Sequence, residues 1–364
     1  MGLAELTDRT QAAIILPTAT IADAVAKLEQ AGTGVLLLCG ADLQLHGILT
    51  DGDIRRAILR GVPFHVACST IATRDPIVGE PDISSTEALH RMDHGREFVL
   101  NQLPLVTPDR CLAGLILRSD LVREEQLPVS AVIMAGGFGT RLKPLTDHVP
   151  KPMLPVGDRP LLALTIERLR EAGIRNVNVT THYLADEIKT YFGDGSGFGV
   201  ELTYLDEDRP LGTAGGLKLM RAPDQPMLVM NGDVLSGVNF RDMLAFHRLH
   251  KADLTVGVRR YAVAVPYGVL ECDGPSVRAV REKPELSFLI NAGMYLIEPS
   301  AFQQIPDATR FDMTDLINTL VGAGRPVVSF PVVEYWLDVG RPTDYEKAQA
   351  DVKAQADVKR ARLA

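Results

Sequence analysis

Three glycines within four residues, Gly136, Gly137 and Gly139, interrupt an apolar run of strand length, Val132-Ile133-Met134-Ala135, and two cations, Arg141 and Lys151, follow. Such a turn lets backbone N–H groups approach an anion without side-chain obstruction, and the cations add a forked guanidinium and a mobile point charge. The chemistry this suits is the holding of a polyphosphate. Two carboxylates stand at the ends of later apolar runs: Asp233 after Met227-Leu228-Val229-Met230-Asn231-Gly232, and Asp338 after Tyr335-Trp336-Leu337. Acids delivered from strand ends to a polyphosphate are what Mg²⁺ requires, since it is hard, prefers oxygen and takes its remaining ligands from phosphate and water. A second glycine-rich turn, Pro210-Leu211-Gly212-Thr213-Ala214-Gly215-Gly216, can bring backbone against a flat base or a sugar.

The phosphate loop is not the Walker A pattern, because no Gly-Lys-Ser/Thr follows, nor is it Gly-x-Gly-x-x-Gly. Read in full, Ala135-Gly136-Gly137-Phe138-Gly139-Thr140-Arg141-Leu142-Lys143-Pro144-Leu145-Thr146 with the trailing Pro150-Lys151-Pro152 resembles the signature of the sugar-nucleotide pyrophosphorylases. Those nucleotidyltransferases join a nucleoside triphosphate to a sugar 1-phosphate. The resemblance implies a Rossmann-like mixed-sheet α/β fold of the GT-A type, nucleotide contacts from Ala135, Gly136, Gly137, Gly139 and Thr140, and Mg²⁺ on Asp233 and Asp338. Arg141 and Lys151 would steady the departing pyrophosphate. Arg281-Glu282-Lys283-Pro284, Asn291-Ala292-Gly293-Met294-Tyr295 and Tyr267-Gly268-Val269 match the acceptor half of the family. By that likeness Lys283 grips the sugar phosphate, Glu282 and Asn291 read hydroxyls, and Gly268 lines the pocket.

Gly212 and Thr213 fall in the turn the family uses for base and sugar contacts. Glu207 offers two acceptor oxygens that match the paired donors on a guanine edge. The Leu-Gly-Thr-Ala-Gly wording is closer to guanylyltransferases, so GTP with a hexose or amino-hexose 1-phosphate, of the mannose or glucosamine class, is the expected pair. A uridylyltransferase is the nearest alternative, and a catalytically silent sugar-nucleotide sensor is the alternative outside enzymes.

The residues before this loop repeat. Thr20-Ile21-Ala22-Asp23 opens a capped amphipathic helix that returns at Ser84-Ser85-Thr86-Glu87, and the strand-to-helix turn Gly47-Ile48-Leu49-Thr50-Asp51-Gly52-Asp53 returns as Gly114-Leu115-Ile116-Leu117-Arg118-Ser119-Asp120. The pair resembles a tandem CBS module. The likeness implies an adenine nucleotide, AMP or ATP, at Thr50 and Asp53. Asp120 repeats the acid, but Leu117 replaces the hydroxyl, so the second cleft is expected to be impaired. Helix capping explains Thr50 and Asp53 equally well.

The expected division is a CBS module over 1–127, a transferase domain over 128–345 and a helical tail over 346–364. Within the transferase domain strands alternate with helices, and shorter β runs at 253–260, 266–272, 277–281 and 289–297 suggest an antiparallel extension.

Composition sets the remaining bounds. The 364 residues allow two cores, and 46% hydrophobic with 23% charged residues describes a globular chain. A formal charge of −8 argues against a general nucleic-acid binder. No apolar run reaches membrane-span length and no signal peptide is evident, which places the protein in the cytoplasm. Cys39, Cys68, Cys111 and Cys272 lack ligand or disulfide spacing and read as buried small hydrophobes. His247 and His250, with no third ligand near, read as a solvated helix face. Lys359, Arg360 and Arg362 read as complementing the last helix end. CBS pairs commonly associate, so a homo-oligomer is expected.

Overall fold

The computed structural model describes residues 6–94, 100–121 and 126–363, with side chains described to residue 354. Arg123, Glu124 and Glu125, and the side chains of Lys359, Arg360 and Arg362, lie outside the described residues. The chain forms two compact units, Met1–Glu125 with Val333–Tyr335, and Gln126–Val332 with Trp336–Ala364.

In the first unit Val35–Cys39 is the centre of a three-stranded sheet, parallel to Ile14–Ile15 and antiparallel to Leu45–Thr50. All five of its residues are buried, as a two-sided core strand requires. Gln102–Val106 pairs antiparallel with Leu112–Leu117. The two repeats share a core in which Val35, Leu37 and Leu45 meet Val106, Leu112 and Leu115. The helices Ile21–Ala31 and Asp51–Leu59 each begin with a reciprocal capping box, Thr20 with Asp23 and Thr50 with Asp53.

The second unit is built on a seven-stranded sheet in the order Glu201–Asp206, Asn176–Thr181, Ser130–Met134, Met227–Asn231, Glu285–Ile297, Leu254–Ala264, Val327–Pro331. The first four strands are mutually parallel, Glu285–Ile297 runs antiparallel to both neighbours, and Val327–Pro331 is parallel to Leu254–Ala264. The sheet is therefore mixed, as the sequence suggested. Side-chain alternation along its centre feeds two cores: Ala131, Ile133, Leu228 and Met230 on one face, Val132 and Val229 on the other. Helices Leu161–Glu171 and Phe240–Leu249 cover the first face, and Met313–Gly322 the second.

Beyond this sheet the outer halves of Leu254–Ala264 and Glu285–Ile297 extend into an exposed antiparallel arm. The hairpin Val269–Asp273 with Ser276–Arg281 lies between them in sequence, and only Val269 in it is even partly covered. The last helix spans Pro342–Leu363, with Gln349 and Tyr345 bonded to the Pro155 carbonyl.

Candidate active site

The centre of the second unit's site is a crossing of two turns. Strand Ser130–Met134 ends at Ala135, whose amide donates to both the carbonyl (3.1 Å) and the hydroxyl (3.3 Å) of Thr180, and the chain then enters the glycine loop. Next to it, Met227–Asn231 ends in Gly232, whose amide donates to the Met134 carbonyl at 2.9 Å. A Cβ on Gly232 would fall 2.7 Å from that carbonyl oxygen, so only glycine lets the carboxylate turn lie against the origin of the phosphate loop.

Asp233 leads into the short strand Val234–Ser236, which pairs antiparallel with Trp336–Asp338; Val234 faces Asp338 and Leu235 faces Leu337. Two acids far apart in sequence thus arrive side by side. The Lys151 ammonium is ion-paired with Asp233 Oδ2. Arg141 stands beside Asp338: a Cβ on the intervening Gly340 would lie 3.5 Å from its guanidinium and 3.3 Å from Asp338 Oδ1. Burial, reinforced by the Asp233 carboxylate, pushes the Asp338 pKa up, against the opposing pull of Lys151 and Arg141. Asp338 Oδ1 is buried and has no hydrogen-bond partner. An orphaned oxygen beside a second carboxylate fits a hard cation that completes its shell from substrate phosphate and water.

The glycine loop is held by a residue that the sequence reading quoted but gave no role. Thr146, fully buried, donates its hydroxyl to the Gly139 carbonyl at 2.8 Å. Gly137 and Phe138 remain exposed, and the Phe138 ring stands edge-on to His182 at 5.4 Å and beside Tyr183 at 5.6 Å.

Glu207 sits between the two glycine-rich turns. Its Oε2 accepts from the Leu211 amide at 2.9 Å, and Oε1 lies 3.3 Å from a Cβ position on Gly136 and 2.9 Å from one on Gly216. Thr213 donates both its amide (2.9 Å) and its hydroxyl (3.3 Å) to Asp312 Oδ1, which also crowds Gly212. Asp312 was not singled out in sequence: Asp312-x-x-Asp315 marks it only as a helix cap, and its bond to Thr213 arises when the chain folds back.

On the arm, Glu282 and Lys283 are exposed at the turn before Pro284, with Lys283 at φ 42° and Glu282 Oε2 3.2 Å from a Cβ position on Gly268. Lys283 forms no hydrogen bond or ion pair among the described residues, in contrast to Lys151. The Asn291 side chain is engaged internally: Oδ1 accepts from the Gly293 amide at 2.9 Å and Nδ2 donates to the Tyr295 hydroxyl at 2.8 Å. The structure therefore brings Arg141, Lys151, Asp233 and Asp338 into one cluster, and keeps Lys283 outside that set of pairings.

In the first unit Thr50 and Asp53 are joined: the Thr50 amide and hydroxyl donate to Asp53 Oδ2 at 2.9 and 2.8 Å, and Asp53 Oδ1 is ion-paired with Arg56. The second repeat retains the backbone half alone, with the Leu117 amide donating to Asp120 Oδ2 at 3.1 Å, and Arg9 adds an ion pair.

Two sequence expectations need correction. His247 is not on a solvated face: it is 1% exposed, and its ring bonds Thr255 Oγ1 at 2.7 Å and Glu298 Oε1 at 3.0 Å. Cys272 is exposed and Cys111 half-buried; only Cys39 and Cys68 are the buried hydrophobes expected, with burial pushing the Cys39 thiol up to about 12.

The sequence profile of the nucleotidyl transferase family matches residues 130–355, well over half of the chain. The chain belongs to that family. The CBS-domain profile matches residues 4–60 and 68–126. Among curated relatives the chain is similar to a mannose-1-phosphate guanylyltransferase of Mycobacterium tuberculosis, 36% identical over 62% of this chain and 64% of that protein. It is also similar to a UTP–glucose-1-phosphate uridylyltransferase of Synechocystis, 34% identical over 60% and 62%. The chain thus spans less than two thirds of the length of either relative. A crystal structure described as a glucose-1-phosphate thymidylyltransferase from Bacillus anthracis, in complex with sucrose, matches 61% of this chain and 94% of its own, at 25% identity and a TM-score of 0.50. Nucleotidyltransferases of this family generally use a divalent metal. Among the described residues no helix is long and apolar enough to cross a membrane.

Proposed function

We propose that this chain is a sugar-1-phosphate nucleotidyltransferase, converting a nucleoside triphosphate and a sugar 1-phosphate to an NDP-sugar and pyrophosphate. The observation that carries the reading is the pairing of the Asp233 and Asp338 strands, with Lys151 and Arg141 against the two carboxylates at the foot of the glycine loop. A phosphate oxygen of the acceptor attacks the α-phosphorus in line; it is already ionised, so no general base is needed. What the chain must supply is alignment of two polyanions and relief of their repulsion.

Asp233 and Asp338 would hold Mg²⁺, which would supply positive charge to phosphate oxygens. The glycine loop, steadied by Thr146, offers its backbone to the triphosphate. Lys151, paired with Asp233 here, is within reach of the same carboxylate edge and serves to stabilise the leaving pyrophosphate together with Arg141. Lys283, with no partner among the described residues, is left to meet the acceptor phosphate.

GTP is the preferred base and mannose or glucosamine 1-phosphate the preferred acceptor class; the guanylyltransferase relatives support this, while the Synechocystis relative keeps UTP as the second reading. The glycine contacts of Glu207 Oε1 suit a role at the nucleobase edge of the site. Pyrophosphate release measured for four NTPs against a panel of sugar 1-phosphates tests the proposal: one preferred pair supports it, and silence with every pair returns the chain to a binding role. For the CBS module, which we delimit at about residue 127, AMP or ATP at Thr50 and Asp53 is the proposed regulator, with Asp120 marking a weaker second cleft. Calorimetry with both nucleotides checks this, and no heat at millimolar ligand rejects it. A homo-oligomer is the proposed assembly, to be read by light scattering.

A further inference from the structure

Trp336 is the one tryptophan of the chain, and it opens the strand that ends in Asp338. Side chains two apart along a strand share a face, so the indole and the Asp338 carboxylate leave the strand on the same side. An indole has one donor and no acceptor. Here Nε1 donates to the Ala292 carbonyl at 2.9 Å.

That carbonyl belongs to an irregular stretch of the long strand. Val258 faces Asn291 while Val256 faces Tyr295, so Ala292, Gly293 and Met294 stand opposite Gly257 alone. Residues in such a bulge drop out of the ladder and re-aim their neighbours. Gly293 adopts φ 70°, and a Cβ on it would fall 2.6 Å from the Asn231 amide nitrogen, so Asn231 fills the space above it. Asn291 is tied to the same turn through Gly293 and Tyr295. The bulge is thus gripped by the residue two before Asp338, by the residue two before Asp233, and by the adjoining Asn291.

We propose that Trp336 is a positioning residue for the acceptor: its indole N–H fixes the bulge that adjoins Asn291 against the strand bearing Asp338, and so sets where the sugar 1-phosphate meets the nucleotide. The inference rests on the nucleotidyl-transfer reading above, with Asn291 on the acceptor side. A purely structural tryptophan would, when altered, lower the thermal midpoint and the apparent turnover through loss of folded protein and leave both KM values unchanged. A positioning one separates them, because among the described residues neither the glycine loop nor Lys151 is hydrogen-bonded or ion-paired to the bulge.

Trp336→Phe keeps an aromatic ring and removes the N–H. In the full chain with Mg²⁺, the KM for mannose 1-phosphate is expected to rise roughly tenfold, the scale of one lost hydrogen bond, while the KM for GTP stays within about twofold and the thermal midpoint moves little. An unchanged acceptor KM, or equal rises for both substrates, overturns the assignment. A second measurement does not depend on turnover. Because the indole is the single one in the chain, wild-type emission should shift when millimolar mannose 1-phosphate is added with Mg²⁺ and a non-hydrolysable GTP analogue. No shift with bound sugar phosphate, established by calorimetry, also overturns it. Wild-type protein that releases no pyrophosphate with any pair, yet binds the sugar phosphate and shifts its emission, would sink the transfer reaction and leave the indole's role standing.

Discussion

The Val339 amide donates to the Asp233 carbonyl at 2.9 Å, so the two acidic turns are locked through backbone and not through their side chains. Asp233 keeps its ion pair with Lys151 and Asp338 Oδ1 is left without a hydrogen-bond partner, yet the two acids cannot separate when both are charged. Burial first, and the Asp233 charge second, raise the Asp338 pKa.

Asp338→Asn should therefore remove activity and add stability. Loss of a major electrostatic contact predicts a fall in turnover of at least ~100-fold. An acid whose folded pKa is raised holds its proton longer in the native state, so its contribution to stability falls as pH rises from the ordinary carboxylate range through the folded value. Melting curves of metal-free protein at about pH 4, near the ordinary carboxylate value, and about pH 7.5 should show a decline in the wild type that is reduced in the variant. A variant that melts lower at neutral pH contradicts the repulsion argument.

Lys151→Met leaves Asp233 without its cation and the pyrophosphate without a charge partner. Turnover should fall by ~100-fold with GTP binding less affected. Stopped-flow separation of nucleotide binding from pyrophosphate release checks the split, and equal losses in both would place Lys151 in ground-state binding instead.

Thr146→Val tests the brace on the glycine loop. Losing one buried hydroxyl bond costs about 1 kcal/mol, and we expect it mainly as a rise of roughly fivefold in the KM for the nucleotide, with the KM for the sugar phosphate unchanged. Steady-state kinetics in both substrates decide it.

His247 gives a pH dependence of opposite sign. Burial pushes its pKa down, partly offset by Glu298, so the native state keeps it neutral where the unfolded chain takes a proton. Stability from this residue is present above about pH 6.5 and is lost as pH falls below it. His247→Gln, which still offers a donor and an acceptor, should flatten urea-unfolding stability between neutral and mildly acidic pH; an unchanged slope would assign the titration elsewhere.

Much of the site was legible because each of its turns is written contiguously: the glycine loop, Asn231-Gly232-Asp233 and Trp336-Leu337-Asp338 announce strand ends in sequence, and the Thr-x-x-Asp boxes announce helix starts. His247 was misread although its signal was present, since Phe240, Met243, Leu244 and His247 share one buried helical face. Treating the two histidines as a spacing hid that periodicity. The exposure of Cys272 was not legible, because the hairpin that carries it is solvated on both faces and alternation there distinguishes nothing. Contacts between distant segments, such as Thr213 with Asp312 or Trp336 with Ala292, exist only through topology, and no local pattern encodes them.

The arm has a consequence for how such a protein diversifies. Beyond Asn291 its two long strands pair with each other and its hairpin with itself, while Asp233 and the glycine loop follow strands of the parallel half of the sheet and Asp338 pairs beside Val234. Lengthening, shortening or recolouring the arm leaves that anchorage intact, so on the proposed reaction a sugar choice set by the arm can drift across generations while the phosphorus chemistry stays fixed.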